Sequence, residues 1–185
     1  MNVWTAEDIA QGTGGKIEQK GMRPINGVST DTRGDVKNKL FIALRGANYD
    51  AHEFAGGAVE RGAAALLVDK KIPKVPSDVT VVRVEDTLKA LQSFGLWHRT
   101  RWNGKLIALT GSNGKTTTKE FCHTILSQKF PVLSTKGSLN NHWGVPITLL
   151  ELRPQHKLAV IEMGMNHLGE ITELVNLSNP DVVIA

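Results

Sequence analysis

The chain has 185 residues, room for one large domain or two small ones on a prior of roughly 100–200 residues each. Its apolar content of 41% supports a packed core, its charged content of 22% is ordinary, and its net charge of +4 is mild. The densest basic group, Lys70, Lys71 and Lys74, reads as a solvated loop, which argues against a nucleic-acid partner. A single cysteine, Cys122, excludes an intrachain disulfide and is expected to be a small core residue of a helix. The start, MNVWTAEDIA, lacks the basic and apolar regions of a signal peptide. The longest small-apolar run, Ala63 to Val68, is too short to span a bilayer. No membrane insertion is expected, and the reducing cytoplasm is the default compartment.

Thr5 followed by Asp8 predicts a capped helix start, and Gly12, Gly14 and Gly15 predict its end. Short strands are expected at Lys16 to Gln19, Ile25 to Thr30 and Leu40 to Leu44. Ala51 to Arg61 reads as a helix stopped by Gly62. Ala64 to Val68 is a continuous apolar run, as in a buried strand, and Val79 to Val84 is β-branched. Pro73 and Pro76 mark a loop between them. From Asp86 to Trp102 the apolar spacing is partly helical, with a break expected at Gly95. Asn103-Gly104 is a turn signal, and the domain boundary is expected there.

Strand signals then recur at Leu106 to Leu109, Val132 to Ser134, Leu158 to Glu162 and Val182 to Ala185. Helices are expected between them at Thr116 to Gln128, Trp143 to Leu150 and Gly169 to Leu177. This alternation predicts a parallel sheet with helices on its faces. The expected fold class is therefore α/β: a small α/β domain over residues 1–103, then a partial P-loop parallel sheet with flanking helices over 104–185. The last strand ends with the chain, so the sheet is expected to be incomplete and the chain a fragment.

The stretch LIALTGSNGKTTTKEFC carries the strongest chemistry. A strand signal precedes a glycine loop, Thr110-Gly111-Ser112-Asn113-Gly114, and Lys115-Thr116-Thr117 opens a helix. Glycines let a backbone approach a polyphosphate, loop N–H groups form an anion nest, and the helix start adds its dipole. Lys115 would reach the β/γ-phosphates and Thr116 would ligate Mg²⁺. The alternative is a tight strand–helix turn with an exposed lysine. Leu109 stands where the usual pattern has its first glycine.

Glu162 ends an apolar run, at the carboxyl end of a predicted strand, where a second Mg²⁺ contact is wanted; the alternative is a solvated strand-end acid. Asn140 and Asn141 lie on a βα loop, either touching a polar ligand or capping a helix. His167, after Asn166, reads as an exposed loop residue or cap. The six histidines have no HExxH or CxxC company, which argues against zinc. Thr30-Asp31-Thr32-Arg33 reads as a polar turn in which Asp31 holds its own backbone.

TGSNGKTTTKE resembles the ATP loop of the Mur ligases, which also lack the first glycine. GSLNNHWGVPITLLEL and AVIEMGMNHLGEI resemble two further motifs of the branch that uses D-alanyl-D-alanine. STDTR, LFIALRGANYDAHEF and GAAALLV resemble that branch's amino-terminal domain. The resemblance spans essentially the whole chain. It implies an ATP-dependent, Mg²⁺-requiring enzyme that joins D-alanyl-D-alanine to UDP-N-acetylmuramoyl-tripeptide through an acyl phosphate. This is a step of peptidoglycan synthesis, and so of cell shape and division, by an enzyme expected to be monomeric when full length. Under it, Thr110 to Thr117 bind ATP, Lys115 is catalytic, and Thr116 and Glu162 hold the metal. Asn140 and Asn141 meet the muramoyl substrate, Asn166 and His167 belong to a substrate-binding motif near the active site without an assigned role, and Thr30, Thr32, Ala47, Asn48 and Tyr49 hold the uridine nucleotide.

Family members continue with more of the central domain and a third domain. The chain alone is therefore expected to be inactive. Rival readings are a ligase for another amino acid, a non-catalytic nucleotide-binding truncation, and a nucleic-acid-stimulated ATPase. The NNHWGVP and GMNHLGEI blocks argue against the first and the scattered basic residues against the last.

Overall fold

The structure, a computed structural model, describes residues 4–46 and 49–185. It divides into two compact units, Met1–Ser93 and Phe94–Ala185. Among the described residues no helix is long and apolar enough to cross a membrane.

In the first unit α1 (Ala6–Thr13) starts at Thr5 with a full capping box, Thr5 and Asp8 bonding each other's backbone N–H. It stops at Gly14, whose φ of 68° only glycine adopts without cost. Then come β1 (Lys16–Gln19), β2 (Val28–Ser29), β3 (Leu40–Ile42), a 3₁₀ turn (Ala51–Phe54), α2 (Ala55–Glu60), β4 (Ala65–Val68) and β5 (Thr80–Arg83). The strands order β1-β5-β4-β3-β2, with β2 to β5 parallel and β1 antiparallel at the edge. All four residues of the inner strand β4 are buried, which explains their unbroken apolar run.

Two elements are shorter than the sequence suggests. The strand expected from Ile25 shrinks to Val28–Ser29. Ile25 bridges Trp4, and Asn26 donates to the Asn38 carbonyl, so their backbone groups are engaged outside the ladder. The helix expected from Ala51 splits, because Asp50 turns the chain tightly by accepting from His52 N–H. Gly56 and Gly57 then lower helix propensity in the short α2.

The second unit carries β6 (Lys105–Leu109), α4 (Lys115–Ser127), β7 (Val132–Ser134), α5 (Gly144–Leu150), β8 (Leu158–Glu162), α6 (Glu170–Ser178) and β9 (Val182–Ile184). Its strands are all parallel in the order β7-β8-β6-β9. The core includes Trp102, Leu106, Leu133, Val145, Leu149, Ile161 and Met163.

Helix α3 (Thr87–Thr100) runs straight through Gly95, where a break was expected. A Cβ at Gly95 would lie 2.8 Å from the Pro146 Cβ of α5, so this glycine serves close packing. The division between units falls inside α3, upstream of the Asn103-Gly104 turn. The reason is that Arg99 and His98 already bond second-unit groups, Asp181 and the Leu152 carbonyl. Cys122 is half-buried rather than a core residue, because α4 leaves Phe121 and Ile125 exposed around it.

His98 gives this unit a pH dependence. Its Nε2 lies 3.0 Å from the Leu152 carbonyl, to which it donates, and burial pushes its imidazole below the ordinary value. His156 shifts the same way, chiefly through burial. Below an unfolded value near about 6.5, the unfolded chain binds protons that the folded one refuses, so stability is complete above that pH and falls beneath it. We expect the thermal midpoint to drop from about pH 7.5 to pH 5.5 and His98→Gln to flatten that slope. A variant slope equal to wild type would remove His98 from the account.

Candidate functional site

Strand β6 ends at the buried Leu109, paired in register with Glu162 of β8. The chain then turns through Thr110, whose N–H bonds the Ile184 carbonyl at 2.9 Å. Gly111 has φ of 138° and Gly114 has φ of 76°. Both values demand glycine, and they let the loop fold over with Ser112 and Asn113 exposed. Helix α4 begins at once with Gly114 as its N-cap and no side-chain cap. Its first N–H groups thus face the loop, the arrangement that receives a phosphate. The Lys115 ammonium lies back across the loop and donates to the Gly111 carbonyl at 2.7 Å. Thr117 is exposed on the first turn.

Glu162 is 2% exposed, not the solvated strand-end acid of the alternative reading. Its Oε2 accepts from the Thr116 hydroxyl at 3.1 Å and its Oε1 from Asn140 Nδ2 at 2.9 Å. Both donors are neutral, so neither brings a positive charge to a buried carboxylate. Two hard oxygens, Thr116 Oγ1 and Glu162 Oε2, are 3.1 Å apart beside the phosphate loop. Two ligands at right angles, each about 2.1 Å from Mg²⁺, are about 3.0 Å apart, so the pair fits that ion. No group of three or more His, Cys, Asp or Glu that could hold a metal occurs among the described residues. Few protein ligands suit an ion that keeps waters and phosphate oxygens.

The two asparagines bond different partners. Asn140 reaches Glu162, and its backbone carbonyl accepts from Gly164 N–H at 2.8 Å. Asn141 Oδ1 accepts from Gly144 N–H at 2.9 Å, at the first residue of α5, whose N-cap Trp143 makes no side-chain cap. A cavity of about 340 Å³ opens beside them, lined among others by Lys115, Asn140, Asn141, His142, Asn166 and Glu173. Asn166 and His167 sit on the exposed loop after β8, where both backbone N–H groups bond Glu170 Oε2. His167 Nδ1 lies 3.2 Å from Glu170 Oε1, and its side chain otherwise faces solvent. These donors, the Asn166 N–H foremost, hold the Glu170 carboxyl below its usual range.

In the first unit, Thr30 and Thr32 follow β2 half-buried, and Tyr49 is exposed after β3. Ala47 and Asn48 lie outside the described residues. Asp31 does hold its own turn, accepting from Arg33 N–H at 2.8 Å and pairing with its guanidinium. The neighbouring anchor is a residue the sequence reading missed. His52 is fully buried, accepts the Asp69 N–H at Nε2, and therefore donates from Nδ1 to Asp50 Oδ1. Lys70 also pairs with Asp50, holding its carboxyl far below the usual range. Sequence reasoning likewise passed over Lys119, Thr135 and Glu170. For Lys119 and Glu170 the signal was helical spacing, three residues after Thr116 and after His167.

Two family models match the chain in order: Mur ligase family, catalytic domain, over residues 24–96, and Mur ligase middle domain, over 109–185. The chain belongs to the Mur ligase family. It is 41% identical over 182 residues to the UDP-N-acetylmuramoyl-tripeptide–D-alanyl-D-alanine ligase of Bacillus subtilis (strain 168), covering 97% of this chain and 40% of that one. Against the Escherichia coli (strain K12) enzyme of the same name, identity is 44% over 160 residues, with 86% and 35% covered. The chain thus spans well under half the length of these curated Mur ligases. Its structure resembles a crystal structure of MurF from Acinetobacter baumannii with a TM-score of 0.91 and 40% identity, covering 99% of this chain and 40% of that chain. A Thermotoga maritima MurF ligase, solved in complex with ADP, matches with a TM-score of 0.73 and 27% identity, covering 84% and 36%. These Mur ligases share the α/β architecture with its parallel sheets.

The adjacent asparagines yield different expectations. Asn141→Ala should cost about 1 kcal/mol of stability through the lost hydrogen bond at the start of α5, with little change in nucleotide binding. Asn140→Ala should weaken Mg²⁺-dependent nucleotide binding, in addition to the stability lost with its hydrogen bond to the buried Glu162. Chemical denaturation with parallel calorimetry checks both, and a reversed pattern would overturn the division.

Proposed function

We propose that this chain supplies the uridine-nucleotide and ATP-handling parts of an ATP-dependent ligase. The reaction joins D-alanyl-D-alanine to UDP-N-acetylmuramoyl-tripeptide in the synthesis of peptidoglycan precursor. The observation that carries it is the buried Glu162, bonded by Thr116 and Asn140 beside a glycine loop that opens a helix. The relatives of that name and the ADP-bound structural neighbour support the same reading.

A carboxylate is a poor electrophile, so the peptide's terminal carboxylate first takes the γ-phosphoryl group of ATP and becomes an acyl phosphate. The amine of D-alanyl-D-alanine then attacks the acyl carbon. Phosphate leaves with the bonding pair as the amide forms, and the amine loses a proton. In this chain the loop N–H groups and the N-terminus of α4 cradle the phosphates. Lys115 leaves the Gly111 carbonyl and follows the charge moving between the β- and γ-phosphates. Thr116 and Glu162 would hold Mg²⁺, which would supply charge neutralisation to the phosphates. Asn140, which lines the cavity, orients the Glu162 carboxylate. Thr30, Thr32, Ala47, Asn48 and Tyr49 form the uridine-nucleotide site; of these, Thr30 and Thr32 follow β2, whose parallel neighbour is β3. The setting is cytoplasmic, with a monomeric enzyme.

Lys115→Ala in the whole protein should lower turnover by at least 100-fold, on the scale of about 3 kcal/mol for one preorganised donor, with the fold intact. Near-normal steady-state rates would overturn the assignment. UDP and ADP should bind additively in calorimetry, and Tyr49→Ala should weaken UDP alone. Mutual exclusion of the two nucleotides would remove the separate uridine site.

A further inference from the structure

Lys119 is the one buried residue of α4, with 2% exposure. A lysine is almost never fully buried unless its charge is paired and its donors are used. Here Nζ donates to the Thr135 carbonyl at 2.9 Å and pairs with Glu120 Oε1 at 2.8 Å. An apolar side chain would fill the same space without the cost of desolvating an ammonium. The position therefore follows some demand other than packing.

That demand is visible in how β7 ends. Its ladder with β8 stops at Ser134, opposite Val160. Thr135 still donates its N–H to the Val160 carbonyl, but the chain then turns away toward Asn140. The Glu162 N–H would be left without a ladder acceptor. The Thr135 hydroxyl takes it at 2.9 Å, while the Thr135 carbonyl, buried and turned toward α4, takes Lys119. Lys119 and Thr116 are three residues apart and share a helix face. One helix thus grips Glu162 twice, directly through the Thr116 hydroxyl and indirectly through Lys119 and Thr135.

We propose that Lys119 and Thr135 are positioning residues that set the Glu162 carboxylate, and with it Asn140, for a divalent cation. This rests on the reading of Glu162 as the metal-facing group. Partners that orient a ligand behind it commonly change metal affinity by 10–100-fold. The substitution of either residue should therefore act on metal dependence more than on nucleotide binding itself.

The measurement is ADP affinity by calorimetry on the purified protein, with saturating Mg²⁺ and with chelator, expressed as the ratio of the two. Circular dichroism and thermal melting are followed in parallel. Glu162→Gln should abolish the Mg²⁺ enhancement. Lys119→Met and Thr135→Val should reduce it about tenfold while chelator affinity stays near wild type. Thr135→Ser, which keeps the hydroxyl, should restore it. If Lys119→Met does not fold, the Thr135→Val and Thr135→Ser pair decides. A wild-type ratio in both Lys119→Met and Thr135→Val, with Glu162→Gln collapsed, would overturn the positioning role and leave the metal reading standing. An unchanged ratio in Glu162→Gln would overturn the metal reading, and the positioning role with it.

Discussion

A buried carboxylate that meets only neutral donors is the constraint around which the second unit is arranged. Glu162 sits at the carboxyl end of β8, screened from water, and receives a hydroxyl and an amide hydrogen. Neutral hydrogen bonds satisfy a buried carboxyl group without bringing a positive charge to it. The Lys115 ammonium donates to the Gly111 carbonyl. Thr116 Oγ1 and Glu162 Oε2 are spaced as two ligands of a small divalent cation would be. The glycine loop beside it has the converse character, with N–H groups and a helix dipole that favour an anion. The proposed ligand, a polyphosphate carrying a divalent ion, would suit both.

Much of this was legible because local rules and tertiary needs agreed. The capping box at Thr5 and Asp8 and the apolar runs of β4, β6 and β8 needed no long-range information. The strand–glycine loop–helix arrangement was legible for the same reason, since glycines, lysine and helix start are contiguous. What was not legible depended on partners distant in sequence. Gly95 reads as a helix break until Pro146 is seen packed against it. His52 reads as an ordinary helix residue until Asp69, just after β4, is seen to bond it. Lys119 reads as a solvated lysine because nothing near it in sequence announces the Thr135 carbonyl. Asn140 and Asn141 are alike in type and adjacent, and only the turn of the backbone gives one to the carboxylate and the other to a helix end.

The two units solve the placement of function differently. In the first, the stretch expected to meet a nucleotide is anchored by charge: Asp50, held by Lys70 and the buried His52, closes the turn next to Tyr49. In the second, the loop is anchored by backbone geometry, through the positive φ of Gly111 and Gly114. Positive φ restricts those positions to glycine, because a Cβ is strained there whatever the space around it.

Register then explains why so much of the second core is devoted to one ladder. Side chains alternate across a strand, so a slip of one residue between β6 and β8 would turn Glu162 to the opposite face. Five consecutive pairs, from Lys105 with Leu158 to Leu109 with Glu162, hold that alignment. It is pinned at both ends. Trp102 Nε1 bonds the His156 carbonyl before the strands begin, and Met163 N–H bonds the Leu109 carbonyl where they finish. Asp181 accepts from Leu106 N–H and from Arg99, tying β9 to the same frame. The buried residues Leu106, Ala108, Ala159 and Ile161 supply the apolar face that makes any other register costly. A distance of 3.1 Å between Thr116 and Glu162 is thus the far end of an alignment set by packing along the whole strand pair.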